Sequence, residues 1–436
     1  MHTISRGIIF IVIGSIFVLL SLLMYTEVLS RRSKWFEHAY PTGMISYRNR
    51  LKSRPYLEFS QGESMTNSVL DVSRRKKQRQ YHTMNITRLS FNGSEKVGPA
   101  HPVGLKIMIM GRMRTGSTLL GEVLNQNPNL FYLFEPLHAT DALVNLRLMD
   151  SSKMEASMAT LLRKLSQCTF PSEFMYDIYN WRIARGKSRT IQEMCEGKFR
   201  CTKANPTLFN ARCVRRRGNM AMKMIRADLE TIKPLVLEDH LNVKILHLVR
   251  DPRGTANSRK RFYCPRRHVP PEQCSLYTMG LLENEPQLIK YKTIHRYCQW
   301  MRETVQVALA RPDWLQGRYK LIRYEDMALE PLRFAKDIYN FLKLPLHPQV
   351  TDWVKSNTQE NTQKSSKVFN TKKNSTEAAQ SWRNTLSFKE AKDVEKKCGD
   401  VMELLGYRLV ESEEDLTNYE VPVTSPLNIG SDISFT

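Results

Sequence analysis

The stretch that most constrains the fold is the junction at 105–118. Leu105-Lys106-Ile107-Met108-Ile109-Met110 reads as a short buried strand, and Gly111-Arg112-Met113-Arg114-Thr115-Gly116-Ser117-Thr118 follows it directly. The two glycines have the G-x-x-x-x-G spacing of a phosphate loop, and a helix is expected from about Thr118. At such a junction, backbone N–H groups and a helix N-terminus converge on an anion. The competing reading is an ordinary glycine-containing strand-to-helix turn with no ligand. Ser117 narrows the chemistry, because it stands where a Walker loop carries lysine. A nucleoside triphosphatase needs that lysine on its β- and γ-phosphates. Its loss argues against a kinase or nucleotide hydrolase and for a nucleotide with a shorter 5′ chain.

Further along, Val243-Lys244-Ile245-Leu246-His247-Leu248-Val249 is nearly continuous apolar sequence, as in strands buried on both faces. Arg250-Asp251-Pro252-Arg253-Gly254-Thr255-Ala256-Asn257-Ser258-Arg259 follows it, at the carboxyl end of a strand, where ligands bind in open α/β sheets. A third strand is expected over 319–324 and a helix over Pro331 to Leu342, with proline at its start. Ser387 and Glu390 form a capping box before Ala391, Val394, Cys398, Val401, Met402 and Leu405, which recur at helical spacing until Gly406. Strands alternating with helices predict an α/β domain with a central parallel sheet flanked by helices. The domain is expected over 105–410, and the acidic, polar segment 411–436 is expected to be disordered.

The N-terminal third reads differently. Gly7 to Tyr25 is uncharged and long enough to cross a bilayer. The favoured division is a cytoplasmic 1–6, a transmembrane signal anchor at 7–25 and a polar, basic stem at 26–104. A cleaved signal peptide, with Val28 and Ser30 before the cut, is the alternative. Arg31, Arg32 and Lys34 outnumber Arg6 across the run, which opposes a lumenal C-terminal side. The sequons at Asn85, Asn92 and Asn374 and the even count of eight cysteines favour it. Roughly 105 disulfide pairings are open, and buried free thiols are the alternative. No Cys/His spacing suggests zinc. The formal net charge of +23 requires an anionic partner. Nucleic acid fits that charge but has no motif to support it. The runs Arg215-Arg216-Arg217 and Arg259-Lys260-Arg261 are either a grip on acidic polysaccharide or solvated faces.

Taken together, the motifs resemble the Golgi carbohydrate 6-O-sulfotransferases, which act on galactose, N-acetylglucosamine or N-acetylgalactosamine. RTGST at 114–118 with NQNPNLFYLFEPLH at 125–138 is similar to their 5′-phosphosulfate loop, and LVRDPRGTANSR at 248–259 to their 3′-phosphate segment. RPDWLQGRYKLIRYEDMALEP at 311–331, SWRNTLS at 381–387 and LGY at 405–407 match further family blocks. The pattern leans toward the keratan sulfate galactose and chondroitin 6-sulfotransferases. Thr118 stands where the family usually has a second serine, and keeps the hydroxyl.

The resemblance implies a P-loop-like sulfotransferase fold and a sulfuryl donor, 3′-phosphoadenosine 5′-phosphosulfate (PAPS), with no metal. Arg114, Thr115, Gly116, Ser117 and Thr118 would hold the 5′-phosphosulfate, and Arg250 and Ser258 the 3′-phosphate. Trp382 and Arg383 would line the donor pocket. Glu135 would be the base that takes the acceptor proton, with His138 as the fallback. Lys223 and Arg226 would reach the sulfate or the acceptor. The expected acceptor is a keratan, chondroitin or N-acetylglucosamine-terminated chain, and the expected place is the Golgi membrane in type II orientation with the domain in the lumen. Homo-oligomerisation stays open. The rival from another class is a lumenal glycan-binding membrane protein without enzymatic activity.

Overall fold

The computed structural model describes residues 104–427, except 146–148, 196–200, 202–204, 266–267, 284–292 and 359–373. The expected anchor at 7–25, the stem, Asn85 and Asn92 lie outside the described residues. Among the described residues no helix is long and apolar enough to cross a membrane.

Five strands form one sheet, β1 (Lys106–Met110), β2 (Phe131–Phe134), β3 (Met220–Met224), β4 (Val243–Val249) and β5 (Tyr319–Arg323). Their order is β2-β3-β1-β4-β5, and every pairing is parallel, as the alternation of strands and helices predicted. Every residue of β1, β2 and β3 is buried, which explains why these strands carry no polar/apolar alternation. Sequence reading passed over β2 and β3. FYLF and MAMKM are very short, and Met-Ala-Met has no strong strand preference.

The strand ends lie in register: Met110 faces both Met224 and His247, Phe134 faces Lys223, and Val249 faces Arg323. All five carboxyl ends therefore open on one edge. The connection leaving β1 leads to β2 on one flank, while the connection leaving β4 leads to β5 on the other. The two chains part between β1 and β4, and that divergence leaves a crevice at their carboxyl ends. The two nucleotide-like motifs follow β1 and β4, the strands that border it.

The helices that build this edge are α1 (Ser117–Asn125), α2 (His138–Asn145), α3 (Ser172–Asn180) and α4 (Pro252–Tyr263). Later in the chain come α5 (Ile294–Leu309), α6 (Tyr324–Leu329), α7 (Pro331–Leu342), α8 (Ser375–Gln380), α9 (Phe388–Leu404) and α10 (Glu413–Thr417). The expected third strand ends one residue early, because Tyr324 opens α6. In α9 the Ser387–Glu390 capping box forms as read.

All eight cysteines pair: Cys168–Cys213, Cys195–Cys201, Cys264–Cys274 and Cys298–Cys398. Cys398 does face the core, but as half of a disulfide that ties α9 to α5, not as a free thiol. Closing that loop of about 100 residues contributes on the order of 4–5 kcal/mol by restricting the unfolded chain.

Two expectations change. The segment after 411 is ordered as far as 427. It forms α10, pairs Thr424 with Tyr407, and is held by Arg383, whose guanidinium donates to the carbonyls of Asp415, Leu416, Asn418 and Val421. The run Arg259-Lys260-Arg261 is not a surface grip, since Arg259 and Lys260 are buried on the inner face of α4. Arg259 donates to the Met113 and Thr293 carbonyls and Lys260 to the Thr385 carbonyl. Arg215 and Arg217 of the other run are exposed, while Arg216 reaches back to the Pro128 carbonyl.

Candidate active site

The loop 111–116 is shaped by two left-handed residues, Arg114 (φ 72°) and Gly116 (φ 94°). Gly116 is the N-cap of α1, and no side chain caps that helix. The Ser117 and Thr118 N–H groups, lacking partners one turn back in the helix, therefore face the crevice as donors. A side chain at Gly116 would collide with the Tyr324 ring, so only glycine lets the loop pack there. Thr115 is buried, and both its N–H and its hydroxyl donate to the Arg112 carbonyl. Its hydroxyl is thus spent inside the turn, so of the five residues expected on the phosphosulfate Thr115 shapes the loop.

The second motif meets the first directly. Arg114 Nε donates to Ser258 Oγ at 3.0 Å, and Arg250 Nη1 donates to the Arg114 carbonyl at 3.1 Å. Arg250 also donates to the Ala378 carbonyl of α8 and lies over the Tyr324 ring, 4.3 Å from its centre. Its backbone is fixed from behind by the Tyr297 hydroxyl, which accepts from the Arg250 N–H and donates to its carbonyl. Beneath it, Asp251 caps α4 and Glu325 accepts from the Asp251 N–H. Burial, and then the nearby Asp251 charge, push the Glu325 carboxyl up to about 7.

Among the described residues, the buried donors Arg250 Nε and Trp382 Nε1 find no hydrogen-bond acceptor. A Cβ placed on Gly254 would stand 3.2 Å from Arg250 Nε and 3.4 Å from Trp382 Cδ1, so this glycine lets both side chains pack against the first turns of α4. Buried N–H groups without acceptors are costly, and a bound anion would satisfy them. Trp382 thus borders the expected donor pocket, with Arg253 stacked on its ring at 4.1 Å. Arg383 does not, because the C-terminal segment holds its guanidinium.

Glu135, Lys223, Arg226 and His138 gather at the ends of β2 and β3. The Lys223 ammonium pairs with Glu135 Oε1, and Arg226 donates to Glu135 Oε2 and to Asp141 Oδ2, both at 2.9 Å. Burial by itself would raise the Glu135 carboxyl; the Lys223 and Arg226 charges overcome that and hold it at about 2. Burial lowers the Lys223 ammonium from its ordinary value, and the Glu135 charge opposes the fall. The expectation that Glu135 is the base meets a physical objection. A carboxylate with both oxygens engaged by cations is a weak proton acceptor. Glu135 instead neutralises and aims Lys223 and Arg226, from a left-handed backbone (φ 48°) of the kind that functional sites retain.

His138 opens α2. Its Nδ1 lies 2.9 Å from Asp177 Oδ1 on α3, and its ring stacks on Trp181 with centroids 3.7 Å apart. Sequence reading missed Asp177 and Trp181, since SEFMYDIYNW carries no motif that sets them apart from a helix face. Asn374 caps α8 through its Oδ1, and the Thr376 hydroxyl of that sequon donates to the Ala328 carbonyl.

Comparison with known proteins agrees with this geometry. Residues 105–406 match the family described as "Sulfotransferase domain". "Carbohydrate sulfotransferase 3" of Mus musculus is 34% identical over 358 residues, covering 76% of this chain and 74% of that one. "Carbohydrate sulfotransferase 1" of the same organism is 30% identical over 344 residues, covering 72% and 81%. With the family matching across the whole described sheet and both motifs at its crevice, the chain belongs to the carbohydrate sulfotransferases.

Proposed function

We propose that the enzyme transfers a sulfuryl group from PAPS to the 6-hydroxyl of a galactose or N-acetylhexosamine in a glycan such as keratan or chondroitin sulfate. The observation that carries this reading is the pair of orphaned donors, Arg250 Nε and Trp382 Nε1, beside the uncapped N-terminus of α1. Together they offer an anion two separate footholds across one crevice, which suits a nucleotide phosphorylated at both ends. In this reading the Ser117 and Thr118 N–H groups, with Arg114, hold the 5′-phosphosulfate. Arg250 and Ser258 hold the 3′-phosphate. Lys223 and Arg226 lie toward the acceptor, and donors fixed in place neutralise charge on the transferring group. In-line attack by the sugar oxygen forms one S–O bond as the bond to the 5′-phosphate breaks, and 3′-phosphoadenosine 5′-phosphate leaves with the electron pair. The setting is the Golgi lumen, with 7–25 as the membrane anchor. The four disulfides favour such an oxidising compartment.

The test supplies the detergent-solubilised full chain with 35S-labelled PAPS and desulfated keratan, chondroitin and N-acetylglucosamine-terminated acceptors. Label in one acceptor, at C6, and its loss in Arg250→Ala are expected. Retention of a glycan with no transfer to any of them would make the chain a glycan-binding protein instead.

A further inference from the structure

Resting on that reaction, the structure assigns the acceptor's proton to His138 and makes Asp177 the residue that positions it. Three observations converge on the imidazole. Asp177 is itself buried, and its Oδ1 holds Nδ1 at 2.9 Å. Trp181 stacks on the ring at an interplanar angle of 17°, which stops it from tilting. The His138 backbone N–H donates to the Glu135 carbonyl at 3.0 Å, so the residue's main chain is fixed one turn from the Lys223–Glu135–Arg226 cluster.

A carboxylate on Nδ1 dictates the tautomer. The proton sits on Nδ1, donated to Asp177, and the lone pair sits on Nε2. Nε2 is then the atom able to take a proton, and the imidazolium that forms is stabilised by the carboxylate behind it. A nucleophile's base held by a third, orienting group is the arrangement that activates a hydroxyl near neutral pH. Glu135 lacks that freedom, since both of its oxygens are engaged by cations.

The step balances. The acceptor O–H bond breaks as the oxygen bonds to sulfur, and its proton passes to His138 Nε2. The S–O bond to the 5′-phosphate breaks, and its electron pair leaves with 3′-phosphoadenosine 5′-phosphate. Asp177 keeps its charge throughout.

Asp177→Asn, Asp177→Glu, His138→Ala and Glu135→Gln separate the roles. For each, kcat and donor KM are measured on the full chain, with binding of 3′-phosphoadenosine 5′-phosphate counting the folded sites. In Asp177→Asn, kcat per nucleotide-binding site is expected to fall about 10²-fold with donor KM within twofold, because the amide reverses the preferred tautomer. Asp177→Glu should recover part of that loss, and His138→Ala should lose at least as much. A merely structural Asp177 would reduce the number of binding sites and leave kcat per site unchanged, which overturns the assignment. So does a His138→Ala variant that keeps its kcat while Glu135→Gln, still binding nucleotide, loses it. If the parent chain binds nucleotide yet transfers nothing, the reaction itself is wrong and the role of Asp177 falls with it.

Discussion

The two sides of the active edge handle positive charge in opposite ways. On the β1–β4 side, Arg250 is held by neutral carbonyls and an aromatic face, and its Nε is left without a partner. On the β2–β3 side, Lys223 and Arg226 are closed into ion pairs with Glu135 and Asp141. Among the described residues the first side retains unmet donors, which on the proposed reading an anion would satisfy. The second is satisfied in advance, with two cations balanced by two carboxylates. On the proposed reading, this difference suits a donor carrying several negative charges and an acceptor hydroxyl carrying none.

The sharpest way to break the comparison is Glu135→Gln. Removing the carboxylate leaves the buried Lys223 ammonium without its carboxylate and Arg226 with Asp141 alone, and stability should fall by about 3–5 kcal/mol in chemical denaturation. A loss below about 1 kcal/mol would mean that the cluster is solvated and the two sides do not differ. Next is Arg250→Ala. Losing charge-assisted hydrogen bonds to phosphate should weaken nucleotide binding about 10- to 100-fold in calorimetry, with a smaller change in stability than Glu135→Gln gives. Gly116→Ala comes third. It forces a side chain toward Tyr324 at φ 94°, for a cost of about 1–3 kcal/mol that bound nucleotide should not restore.

The smallest effect is in the pH dependence, and the sides should differ in sign. Glu135, held at about 2, contributes stability that is present above its unfolded value of 4.5 and is lost as pH falls toward 2. Glu325, raised to about 7, does the reverse: as pH climbs from 4.5 to 7 the unfolded chain ionises first, and stability declines. Glu325→Gln should flatten the stability profile between pH 4.5 and 7 while leaving it unaltered below pH 4. An unchanged slope would show that Glu325 does not titrate in that window.

How legible each side was follows from the same contrast. The β1–β4 side is written in local sequence. A glycine loop must be contiguous to turn a strand into a helix, and Arg250 to Ser258 lie on one strand end and the helix after it. Their chemistry could be read before their meeting was known. The β2–β3 side is assembled from distant segments, with Glu135 and Lys223 88 residues apart and His138 and Asp177 39 apart. Each is unremarkable in its own neighbourhood. Arg383 shows the limit from the other direction, because a residue inside a matching family block turned out to anchor the C-terminal segment.

By itself, then, the amino-acid order determined the parallel α/β class, the glycine loop between strand and helix and the capped helix that stops just before Gly406. All of these depend on contacts within a few residues, where backbone geometry and side-chain period dictate the outcome. Only the tertiary structure decided that β1 and β4 are neighbours, that Glu135 is neutralised by cations, and that His138 is held by Asp177. These rest on which strands pair across the sheet and which helices pack over its edge, and such long-range choices are settled by burial of the whole core.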